Sequence, residues 1–162
     1  MADSAFSAKV TPEAQLRFLI ERFDAKNQQI IRSVRAALRK RFPTANELVY
    51  DYGFSLVIAY SPTEQGIEGI LSISARADDG VSLYFTNGPK LPDPKKLLMG
   101  SAKLVRFIPV EAASRLKHPD VEALIAAAID KASVPFPSKG GGKLVIKTFG
   151  KSSGAKRAKS KK

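Results

Sequence analysis

The chain has 162 residues, a formal net charge of +12 and no cysteine. That length suits one domain of ordinary size, and the missing thiols exclude disulfides, cysteine-based zinc sites, iron–sulfur ligation and a thiol nucleophile. The charge is uneven: nine basic residues and no acid follow Pro137, while 18 basic and 15 acidic residues precede it. Basicity therefore belongs to the appendage rather than to the body.

Residues 1–10 are small and polar, without a period, and read as a flexible N-terminus. No apolar signal core opens the chain, and no apolar run approaches the roughly 20 residues of a membrane span, so a cytoplasmic protein is expected. Thr11-Pro12-Glu13 marks a helix start, with a cap, a first-position proline and an early acid. Leu16, Leu19, Ile20 and Phe23 then form one apolar stripe. Asp24 caps a second helix that runs to about Arg41, burying Ile31, Val34, Leu38 and Phe42, and Pro43 ends it. Arg32, Arg35 and Arg39 line up beside that face. Two readings stand: their stems cover the core edge, or they form a ridge that contacts phosphate.

From Glu47 the period changes to two. Glu47–Tyr52 and Phe54–Tyr60 read as strands joined at Gly53. After a loop at residues 61–66, a strand from Ile67 to Arg76 places Ile67, Gly69, Leu71, Ile73 and Ala75 on its apolar face. Asp78-Asp79-Gly80 is a hairpin turn, and Val81, Leu83 and Phe85 alternate with Ser82, Tyr84 and Thr86 in the next strand. Ser72, Ser74, Ser82, Tyr84 and Thr86 can share one face, either solvated or a shallow binding surface flanked by Tyr50 or Tyr52 and by Arg76 or Arg106.

The segment 87–100, NGPKLPDPKKLLMG, carries dense turn chemistry. Asn87-Gly88 accommodates positive φ, and Pro89 and Pro92 stiffen the chain. Asp93 at an N-cap, Pro94 at the first position and Gly100 as a stop predict a short helix clamped between strands, with Leu97 and Leu98 toward the core. Lys90, Lys95, Lys96, Lys103 and Arg106 form a possible anion site at that helix start. A strand over Lys103–Pro109 follows. His118-Pro119 then opens a third helix with Val121, Leu124, Ile125, Ala128 and Ile129 as its stripe, fading near Ser133.

Pro135 and Pro137 mark the domain boundary, and Gly140-Gly141-Gly142 reads as a flexible hinge. Residues 143–147, KLVIK, can add an edge strand or dock as a hydrophobic hook, and beyond Gly150 the composition is too poor in apolar residues to fold. The expected organisation is a flexible segment 1–10, a folded domain 11–136 and a largely disordered basic tail 137–162. The expected fold is α+β: an antiparallel sheet of about five strands, with two N-terminal helices and one C-terminal helix packed on it.

Catalytic signatures are sparse. The lone histidine, His118, sits at a helix start without an acidic or nucleophilic partner nearby in sequence. No nucleophile elbow, phosphate loop or dinucleotide fingerprint occurs. Gly140-Gly141-Gly142-Lys143 lacks the strand and helix a phosphate loop needs, and Asp78-Asp79-Gly80 lacks the spacing of a calcium loop. No catalytic residue, metal ligand or cofactor is expected.

Residues 32–35 (RSVR), 47–54 (ELVYDYGF), the 87–100 clamp and 103–107 (KLVRF) together resemble the YdhG-like family, number 1801 among the domains of unknown function. The resemblance covers roughly Gln28 to Ser133 and implies a small α+β domain. For some members it implies a frataxin-like iron-chaperone role. Here the acids are dispersed among turns and caps, which does not suit a ligand set. The residues themselves favour a non-enzymatic binding module, with iron handling or small-anion binding as the alternative. Its expected partner is nucleic acid or another polyanion, met without sequence specificity through Lys143, Lys147, Lys151, Lys156, Arg157, Lys159, Lys161 and Lys162. No aromatic residue interleaves with residues 151–162, so base stacking is not expected there.

Overall fold

The computed structural model describes residues 10–148, and side-chain caps start the three α-helices among them. Thr11 Oγ1 accepts the Ala14 N–H at 3.2 Å and opens α1 (Pro12–Ile20). Asp24 Oδ1 accepts the Asn27 N–H at 2.8 Å and opens α2 (Ala25–Arg41). His118 Nδ1 accepts the Asp120 N–H at 3.2 Å and opens α3 (Pro119–Asp130), which gives the lone histidine a structural task.

The strands are β1 (Asn46–Asp51), β2 (Ser55–Ser61), β3 (Leu71–Arg76), β4 (Gly80–Thr86), β5 (Val105–Pro109) and β6 (Leu144–Ile146). They form one sheet in the order β5-β4-β3-β2-β1-β6. The first five make an antiparallel meander, with Gly53 at φ 84° and Gly80 at φ 80° in the tight turns. Alternation puts Val49, Ile58, Ile73, Leu83 and Ile108 on one face. That face packs against Leu16 and Leu19 of α1, Ile31, Val34 and Leu38 of α2, and Val121, Leu124 and Ile125 of α3 in a single core. The fold is α+β, with the helices on one side of the sheet.

The sheet has six strands rather than about five. β6 pairs in parallel with β1, Leu48 opposite Val145, and lies within residues expected to be tail. Parallel pairing needs a long connection, which α3 and the chain after it supply. Phe136 packs on Phe42 at 5.0 Å between ring centroids, and Thr44 Oγ1 donates to the Pro137 carbonyl at 2.7 Å. Leu144 and Ile146 then add to the core, so the folded body extends beyond residue 136. Gly142 is no free hinge. Its α-carbon lies against the Ala45 backbone so closely that any Cβ would overlap the Ala45 carbonyl.

Two further expectations are corrected. The third strand begins at Leu71 rather than Ile67, because Gly66–Glu68 closes a 3-10 turn that leaves Ile67 90% exposed. Gly66 sits against the Tyr50 hydroxyl, leaving no room for a side chain. The helix expected after Asp93 does not form either. The Asp93 carboxylate takes the Leu97 and Leu98 N–H groups at 2.8 and 2.9 Å, and Lys96 adopts φ 57°. So short a segment recovers little of the nucleation cost of a helix, and the carboxylate satisfies the same donors without it. One unforeseen 3-10 turn, Ala113–Lys117, delivers Leu116 to the core.

Candidate polyanion interface

The clamp between β4 and β5 is fixed at both ends. Asn87 takes φ 62° and Gly88 backs onto Arg106, where a Cβ would collide with the Arg106 backbone. A 3-10 turn follows at Gly88–Lys90, and Leu91 is buried. Leu97 and Leu98 pack half-buried against the core. Met99 then exchanges two backbone hydrogen bonds with Phe107, at 2.8 and 3.0 Å. The clamp thereby covers the free edge of β5, a site that would otherwise invite strand addition.

Pinned this way, the clamp presents Lys90, Lys95, Lys96 and Lys103 to solvent. No described acid lies within ion-pair distance of any of them. The acid within the clamp, Asp93, is turned onto backbone donors. Arg106 does not join the four lysines. It is half-buried, and its Nη1 donates to the carbonyls of Ala102 and, at 2.8 Å, Val105. The helix start that sequence placed here is also absent, so the positive potential comes from ammonium groups alone.

The sheet face opposite the helices borders the clamp. Pairing sets Ser72 opposite Tyr84, Ser74 opposite Ser82, and Tyr84 opposite Phe107. The hydroxyl-bearing face expected from sequence is thus assembled, with Arg76 on it and Arg106 on the other parity. The Tyr84 and Phe107 rings stack with centroids 4.9 Å apart and planes 21° apart. Met99, bonded through its backbone to Phe107, remains 48% exposed, and Leu104, just before β5, remains 66% exposed. At the other end of the face Tyr50 stacks on Tyr52, and the Arg76 guanidinium lies 5.4 Å from the Phe54 ring centroid. Burial pushes the Tyr50 phenol above its ordinary pKa, and Tyr52 adds to this.

In the arginine line on α2, Arg35 is committed internally. Arg35 donates to Glu47 at 2.8 and 2.9 Å and to Glu13 at 2.7 and 3.1 Å. Burial works against its charge, but hydrogen bonds to Glu47 and Glu13 more than offset this and hold its pKa above the ordinary value. The hydrogen bond from Arg35 holds the Glu13 carboxyl below its ordinary pKa. Arg32 donates to Gln28, and Arg39 lies 3.6 Å from Glu13. Arg35 is thereby taken from any phosphate ridge along these three, while Arg32 and Arg39 stay exposed.

Glu47 also accepts the Tyr60 hydroxyl at 2.8 Å. Tyr60 is fully buried, and burial pushes its phenol well above the ordinary pKa, with the Glu47 charge adding to the effect. This network floors a cleft of about 470 Å³ rimmed by Arg39, Lys40, Phe42, Lys143 and Leu144. It positions charges but aligns no nucleophile with a base. Among the described residues no three His, Asp or Glu side chains gather as metal ligands would, and no helix is long and apolar enough to cross a membrane.

Two residues of the expected tail site are in view. Lys143 pairs with Glu64 at 3.0 Å, and its N–H and carbonyl tie Asn46 and Glu47 into the β6 edge. Lys147 donates its N–H to the Val49 carbonyl at 2.8 Å, and its side chain is exposed. Lys151, Lys156, Arg157, Lys159, Lys161 and Lys162 lie outside the described residues, as do residues 1–9 of the expected flexible N-terminus. No protein-family model, curated protein or solved structure matches the chain.

Proposed function

We propose that this chain is a non-enzymatic module that binds nucleic acid or a comparable polyanion through the clamp lysines and the basic segment behind the fold. One observation carries the reading. Five of the body's nine arginines are paired with acids, as in Arg22–Asp51, Arg35–Glu47, Arg41–Glu122 and Arg76–Asp78. The four clamp lysines are not, although the clamp is held in place by backbone bonds and buried leucines. Unneutralised cations on a fixed loop suit phosphate contacts, which position a ligand without reading its sequence. The nine basic residues after Pro137 extend the same field.

Membership in the YdhG-like family belongs to the same proposal and rests on the residues quoted for it. It brings no ligand of its own.

The reading is tested by retention on immobilised duplex DNA. The full chain and a Lys90→Gln, Lys95→Gln, Lys96→Gln, Lys103→Gln variant are eluted with rising salt. The variant is expected to elute at clearly lower salt with an unchanged melting temperature. Equal elution would remove the clamp from the interface, and a full chain retained on neither this duplex nor immobilised single-stranded DNA would remove the reading itself.

A further inference from the structure

We infer that the polyanion is single-stranded nucleic acid, and that one of its bases stacks on the Tyr84 ring in the slot above Ser72. The inference rests on the polyanion reading and deepens it. Across the outer face, Phe107, Tyr84 and Ser72 stand in one row on β5, β4 and β3. Neighbouring strands lie roughly 4.8 Å apart, so rings on adjacent strands stand face against face. Phe107 covers one face of Tyr84 in this way, at 4.9 Å. On the other side the row continues with Ser72, whose side chain ends at a single hydroxyl and is too short to cover a ring.

Ser74 and Ser82, paired in the next row, are equally small. The ladder of aromatic planes therefore stops at Tyr84, beside the half-buried Ser72. A nucleobase has the thickness and π-face to continue it, and the serine hydroxyls can donate to or accept from any base edge. The backbone bonds between Met99 and Phe107 bring the clamp to the same edge of the sheet. A strand whose base occupies the slot can then run its phosphates toward Lys95, Lys96 and Lys103, while Met99 and Leu104 offer exposed apolar surface to its sugars. Duplex DNA cannot do this, because its bases are already stacked on each other.

The experiment uses the full chain with three probes: fluorescent oligo(dT), the same length of duplex, and heparin, which has charge but no bases. Tyr84→Leu keeps apolar bulk and removes the ring, and Ser72→Phe fills the slot. Each is expected to weaken oligo(dT) binding roughly tenfold or more, the worth of one stacked base, while heparin elution stays at the wild-type salt. Irradiation of wild-type protein with a 5-bromodeoxyuridine oligonucleotide is expected to crosslink the peptide containing Tyr84, a readout that needs no variant to fold. The inference is overturned if heparin and duplex bind as well as oligo(dT), if both variants bind oligo(dT) like wild type, or if crosslinks fall only outside β3, β4 and β5. Failure of the wild type to bind any of the three probes would instead overturn the polyanion reading beneath it.

Discussion

Gly142 and Ala45 meet backbone to backbone, with no room for a methyl group between the Gly142 α-carbon and the Ala45 carbonyl oxygen. This contact, with the Gly142 N–H donating to the Pro43 carbonyl at 3.3 Å, is where the returning chain enters its register beside β1. Gly142→Ala must push the β6 segment outward. Overpacking of this kind costs about 1–3 kcal/mol. Gly141→Ala, where nothing lies within 4 Å, should be close to neutral. Chemical denaturation of the two variants checks this; equal stability would mean that β6 does not depend on the contact.

The Arg35–Glu47 pair gives a second outcome. The Glu47 side chain is 6% exposed and that of Arg35 13%. Glu47→Ala leaves the guanidinium with the half-exposed Glu13 and strips the buried Tyr60 hydroxyl of its acceptor. Losing one partner of a buried pair costs about 3–5 kcal/mol. The double variant Arg35→Met, Glu47→Leu should recover part of that loss, since the desolvation of both charges disappears with the pair while the Tyr60 hydroxyl stays without its acceptor. A single variant as stable as wild type in urea would contradict this description of the network.

Tyr60 sets a pH dependence. Its pKa in the fold is raised well above the ordinary value of 10.0, so the folded protein holds the phenolic proton more tightly than the unfolded chain. The associated stability is complete below about pH 10 and is lost as pH rises toward the folded pKa. Tyr60→Phe loses the hydrogen bond to Glu47 and should be less stable at neutral pH, by about 1.5–3 kcal/mol for a charged acceptor. The gap to wild type should narrow above pH 10, because the variant has no proton to release there. Thermal melts of both proteins from pH 8 to 11 measure it, and a gap that widens with pH would reverse the sign.

Much of the fold was legible because local chemistry and packing agreed. Thr11, Asp24 and His118 cap the helices that their sequence context announced, and the period-two alternation of residues 71–86 carried straight into β3 and β4. Sequence misjudged residues whose conformation is decided by distant partners. Asp93 looks like a helix cap, but its carboxylate serves a turn whose far end is pulled straight by Met99 on Phe107. Gly142 looks like linker and is a close approach to Ala45. The arginines of α2 were readable as a basic line, but their acids, Glu13 and Glu47, come from α1 and β1. At the candidate site, the lysines were visible in sequence, while the Tyr84–Phe107 stack needed the strand register to bring β4 and β5 side by side.

The salt dependence of binding tests the central claim most directly. Affinity of the full chain for duplex DNA is followed against salt concentration beside a chain truncated after Thr148, which keeps β6 and its bonds to β1 but removes six basic residues, Lys151, Lys156, Arg157, Lys159, Lys161 and Lys162. A steep log–log slope that becomes shallower by up to about 0.9 per lost contact, with a residual slope from the clamp lysines, is the predicted result. A slope near zero for the full chain, or one that truncation leaves unchanged, would contradict the account.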